Sequence, residues 1–173
     1  MKGKTMGNDI DKVKLRRFQD DLNVGGIGVV ILGAWGVLKV AMQIVTEAKD
    51  GLSLEEVAAE DRAVTGIIVI AILAVVLLIL FLIFKIHLYI GLNASKAAKG
   101  EPFKKGYYAG AIILLVLSAA SIFLYIEDFK DLDNIDTTMA SFIVDLTTIY
   151  ILWVVVSSTR KIRELKSSLH TQE

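Results

Sequence analysis

From Gly66 to Phe84 no side chain is more polar than alanine. At about 1.5 Å per residue that run makes a helix of about 28 Å, close to the ~30 Å hydrocarbon thickness of a bilayer. Soluble helices bury one stripe and leave the opposite face polar, so a run this long with no polar face points to lipid. Three more apolar blocks accompany it, which gives spans of about 24–45, 64–84, 107–126 and 138–157. Lipid offers no hydrogen-bond partner, so each block must close its own backbone bonds as a helix. The expected fold is all-α: a polytopic membrane protein built as a four-transmembrane-helix up-down bundle. All 173 residues then form a single membrane domain, with aqueous tails at 1–22 and 158–173.

Charge sets the expected orientation. The net charge is zero, from 19 basic and 19 acidic residues. The segments between spans are far from neutral. Lys and Arg collect in 1–22, 85–106 and 158–173, whereas Asp and Glu collect in 46–63 and 127–137. Basic residues beside span ends stay in the cytoplasm, so both termini and the central loop are expected there. The first span reads as a retained signal anchor, because it is too long for a cleavable signal peptide. Asn93-Ala94-Ser95 fits the glycosylation sequon, but in a cytoplasmic loop the match is fortuitous.

Secondary elements are expected outside the spans as well. Asn8–Leu22 carries Ile10, Val13, Phe18 and Leu22 near one side, and is read as an interfacial helix on the anionic leaflet. Ser53-Leu54-Glu55-Glu56 has the spacing of a capping box. Arg160–Leu169 is expected to prolong the last span. Gly91–Gly106, with Gly, Ser, Lys and the sole proline Pro102, is read as a flexible basic connector.

Small residues mark where membrane helices touch, because they let backbones approach. Gly25, Gly28 and Gly36 on the first span, and Ser118 and Ser121 on the third, form the expected packing faces; Ala111, Leu114 and Tyr125 extend the latter seam.

Two ionisable residues fall inside spans, Lys39 and Asp145. Lys39 lies about 12 Å from the outer end of the first span and Asp145 about 13 Å from the outer start of the fourth. An up-down bundle sets its first and last helices side by side. The matching depths predict an intramembrane Lys39–Asp145 pair, with Gln43, Ser141 and Thr148 on the supporting polar face. Such a pair fixes helix register or couples to the movement of an ion or proton; the other reading is that the two never meet, with Lys39 snorkelling outward and Asp145 lining a polar cavity.

The remaining motifs exclude more than they indicate. Cys is absent, so there is no disulfide, thiolate metal site or redox thiol. Gly26-Ile27-Gly28 lacks the third glycine and the preceding strand of a nucleotide-binding turn. Asp131, Asp133, Asn134 and Asp136 approach a calcium loop, but Ile135 occupies a ligand position and no glycine follows. His87 could serve as a proton relay, although its place at a span end fits an interfacial anchor better. No catalytic motif, cofactor site or metal site is expected, and a neutral chain has no call for nucleic acid. The expected role is a non-enzymatic accessory or interaction protein of the cell membrane. Its partners are the lipid bilayer, a membrane protein or a second copy of the chain; the alternative is an oligomeric channel or an ion- or proton-coupled transporter of a small solute.

Overall fold

The computed structural model of the protein describes residues 2–51, 62–125, 129 and 135–171. The described residues form four helices: α1 (Lys2–Gly51), α2 (Arg62–Lys99), α3 (Gly106–Ser121) and α4 (Ile135–Thr171). A 3₁₀ turn, Ile122–Leu124, prolongs α3. Three stretches are long and apolar enough to cross a membrane, Ile10–Met42, Val64–Lys99 and Thr138–Ser168, while α3 is apolar but shorter. The protein is therefore a helical, membrane-embedded one. The β-branched content of α2 would weaken a helix in water. In lipid that preference is overridden, because an unclosed backbone costs several kcal/mol per polar group. Its side chains stand open to the surroundings, with Ile67, Ile70 and Leu77 each more than 60% exposed. The capping box at Ser53, and Asp131, Asp133 and Asn134 of the acidic stretch, lie outside the described residues, as does the Asp136 side chain.

The helices group into two units, Met1–Leu32 with Leu88–Glu173, and Gly33–His87. The first holds the buried core: Leu22 and Val29 from α1, Ile90, Ala94, Ala97 and Ala98 from α2, Tyr107 and Ala111 from α3, and Leu152, Val155 and Ile162 from α4. Each set recurs at three- to four-residue steps or at seven, so each helix contributes one face.

Gly91–Gly106 is not the flexible connector that its composition suggests. α2 runs through it to Lys99, and Ala94, Ala97 and Ala98 are buried. The small residues that resemble loop punctuation form an inter-helix seam instead. A Cβ added to Gly26 would lie 2.7 Å from the Gly91 carbonyl oxygen and 2.9 Å from Ser95 N, so α1 and α2 approach backbone to backbone. Ser95 donates to Asn23 Oδ1 at 2.6 Å beside this crossing.

The true loop is short. Gly100 has φ 76°, a left-handed conformation that favours glycine. Gly100 N–H bonds Ala97 O at 3.3 Å and Glu101 N–H bonds Lys96 O at 2.9 Å, the two bonds of a Schellman cap. Pro102 follows and prevents the helix from resuming. Asn93 Oδ1 then accepts from Lys104 N–H at 2.8 Å, and its Nδ2 donates to Tyr89 O at 2.7 Å.

The interfacial helix expected at Asn8–Leu22 is also different in kind. The segment is helical, but as part of α1. Leu15 and Phe18 pack against the protein core and Leu22 is buried, while Ile10 and Val13 stay exposed. Lys161 Nζ of α4 sits 4.8 Å from the Phe18 ring centroid. The later half of the apolar stripe, Phe18 and Leu22, is thus taken up by the protein core. At the other terminus α4 continues to Thr171, so the expected extension through Arg160–Leu169 is helical.

Within the second unit, α1 meets α2 where Gly33 faces His87 with no room for a Cβ. His87 is buried, and its Nδ1–H donates to Ile83 O at 2.9 Å one turn back. Lys85 Nζ lies 4.9 Å from the Phe81 ring centroid. The imidazole Nδ1–H is thus taken up by its own helix.

Candidate functional site

Asp145 is the one acidic or basic residue of α4 between 138 and 157, and it is half-buried. Its Oδ2 accepts a hydrogen bond from the Tyr125 hydroxyl, which comes from the end of α3. Helix geometry explains why these two meet. Side chains tilt toward the N-terminus of their own helix. α3 runs toward the α3–α4 connection and α4 runs away from it. Tyr125 therefore leans back from the connection, while Asp145 leans toward it, and the long phenol closes the remaining gap. A hydrogen bond to an ionised acceptor is roughly twice as strong as a neutral one, and it lowers the cost of a carboxylate in an apolar setting.

The Tyr125 ring packs with two others beside this contact. Tyr125 and Phe142 meet edge to face at 5.5 Å, and Phe129 and Phe142 do so at 5.4 Å. Phe129 N–H also bonds Tyr125 O at 3.0 Å, which holds the chain in place as it leaves α3.

Of the expected supporting groups, Thr148 donates to Val144 O at 2.9 Å, so its hydroxyl proton serves its own helix. Ser141 is half-buried on α4, and the Gln43 side chain lies outside the described residues. Lys39 is half-buried on α1 and belongs to the second unit, whereas Asp145 belongs to the first. Among the expected packing residues, Gly25 faces Val155 Cγ2 at 3.0 Å and Gly28 faces Ile151 Cγ2 at 3.1 Å, both measured from an added Cβ. An added Cβ on Gly36 meets nothing within 4 Å. Ser121 donates to Ser118 O at 2.8 Å, a bond within α3 just before the 3₁₀ turn.

A second feature lies at the opposite end of the α3–α4 hairpin. A cleft of about 580 Å³ opens between the α2–α3 loop, the start of α3 and α4. Tyr107 forms its floor, with its hydroxyl 3.1 Å from Thr159 Oγ1, and Thr159 in turn donates to Val155 O at 2.7 Å. Phe103 stands edge-on to Tyr107 at 5.7 Å. Lys105, Arg163 and Lys166 line the cleft, and among the described residues no carboxylate does.

Sequence reasoning missed the Tyr125 partner of Asp145 and missed this cleft. Among the described residues no group of three or more His, Cys, Asp or Glu is placed to hold a metal. The chain matches no family model, no curated protein and no solved structure.

Proposed function

We propose that the chain is a non-enzymatic accessory protein of the cell membrane, a four-span bundle with both termini in the cytoplasm. It acts by presenting a rigid helical surface to another membrane protein or to a second copy of itself. α3 serves as the fourth span. With its 3₁₀ turn it runs from Gly106 to Leu124, about 30 Å, which suffices for a bilayer. The alternation of basic and acidic connections supports the orientation.

The observation that carries this reading is the hydrogen bond from Tyr125 to Asp145, with the Tyr125 ring packed against Phe142. The carboxylate that a transporter would need free is engaged in holding two helices together. Its pairing with Lys39 rests on their matching depth in the sequence. A double-mutant cycle tests the pair: Lys39→Gln, Asp145→Asn and both together, read as thermal unfolding in detergent. Asn at 145 keeps an acceptor for Tyr125, so the cycle isolates the charge. A coupling of about 1 kcal/mol or more between the sites is expected. Additive effects would remove the pair from the account.

One observation favours the alternative of an oligomeric channel or coupled transporter. Asp145 is only half-buried, as are Ser141 and Thr148 on the same face of α4, so a polar line stays partly open to another subunit.

A further inference from the structure

We propose that the cleft beside Tyr107 binds one anionic phospholipid, with its phosphate between Lys105, Arg163 and Lys166 and its glycerol and upper acyl carbons against Phe103, Tyr108 and Ala109. The inference rests on the proposal that this end of the bundle lies at the cytoplasmic membrane surface.

Three bases converge here from two parts of the chain. Lys105 comes from the short loop after α2, and Arg163 and Lys166 stand one turn apart on α4. The guanidinium of Arg163 is stacked on Tyr108 at 4.5 Å, which fixes its direction before any ligand arrives. The adjacent carboxylate, Glu164, is bonded to Arg160 at 2.8 Å, and among the described residues no ion pair engages the three bases. The floor is different in character. Phe103 and Ala109 are exposed along it, above the buried Leu22, Tyr107 and Ile162, and the Tyr107 hydroxyl is already satisfied by Thr159. A ligand on this floor needs apolar surface and no hydrogen bond.

A basic rim over an apolar floor matches a molecule with an anionic head and a hydrocarbon body. Basic pockets between membrane helices at the cytoplasmic side hold anionic headgroups for this reason. The volume falls within the ~300–1,000 Å³ range of ligand pockets. A small soluble anion would use the bases alone and leave the apolar floor uncovered. Lipid is thus favoured over free phosphate.

The test is native mass spectrometry of the purified full chain in detergent. Dioleoyl phosphatidylglycerol, dioleoyl phosphatidylcholine or glycerol 3-phosphate is added at equal concentration. One phosphatidylglycerol per chain should be retained about tenfold better than phosphatidylcholine. Lys105→Gln with Arg163→Gln and Lys166→Gln should abolish the preference. Lys12→Gln with Arg17→Gln and Lys96→Gln, all exposed, should keep it. High salt should weaken retention by the unaltered chain, which needs no variant to fold. Equal retention by the two triple variants would overturn the proposal, as would competition by glycerol 3-phosphate at matched concentration. Orientation is read separately. The chain lacks Cys, so Ser168→Cys supplies a unique thiol. Labelling of that thiol by an impermeant maleimide on intact cells would overturn the cytoplasmic placement, while lipid retention in detergent is scored regardless of it.

Discussion

The Tyr125 hydroxyl donates to Asp145 Oδ2 and ties the end of α3 to the apolar stretch of α4. The phenol supplies a neutral donor, so it supports a carboxylate there without bringing a second charge into the bilayer. Tyr125→Phe keeps the ring against Phe142 and Phe129 and removes only the donor. It should cost about 1–2 kcal/mol, measured as unfolding in detergent. Asp145→Leu in the same assay should make the Tyr125→Phe change nearly silent, since the donor has then lost its partner. Equal effects of Tyr125→Phe in both backgrounds would show that the hydroxyl acts elsewhere.

Two glycines of α1 should respond in opposite ways to the same substitution. Gly26→Ala sets a methyl against the α2 backbone, where only movement of a helix makes room. A loss of about 1–3 kcal/mol is expected. Gly36→Ala points into open space and should change stability by less than about 0.5 kcal/mol.

Gly100→Ala places a Cβ on a left-handed residue and should cost about 1 kcal/mol. The effect should be local. Hydrogen exchange should quicken at Glu101 N–H, whose bond to Lys96 O belongs to the cap, and remain unchanged in α3.

Asn93→Ala should release the loop in another way. It removes the acceptor of Lys104 N–H while leaving the α2 cap intact. Exchange at Lys104 should rise, and limited proteolysis at Lys104 or Lys105 should accelerate with little change in global unfolding.

How much of this was legible beforehand depends on the kind of energy involved. The apolar helices were visible because transfer into lipid depends on composition, and the run Gly66–Phe84 leaves no other solution. Gly25 and Gly28 were recognisable as contact residues by their spacing. Gly91 was hidden because loop and close helix crossing use the same small residues. Asp145 was conspicuous by its cost, yet the search for its partner weighed opposite charge and depth, and so passed over a phenol. The tilt of side chains along α3 and α4 contained that information. The cleft could not be read. Lys105, Arg163 and Lys166 are separated in sequence, and each is sufficiently explained by the orientation of the spans.

The central claim is that Asp145 holds the bundle together and carries no ion or proton through it. Proton and cation flux into liposomes containing the purified chain tests it most directly, with Asp145→Asn measured alongside. The account predicts flux equal to that of empty liposomes for both proteins. Flux through the unaltered chain that is lost in Asp145→Asn, with the variant still folded, would contradict it and establish the transport alternative.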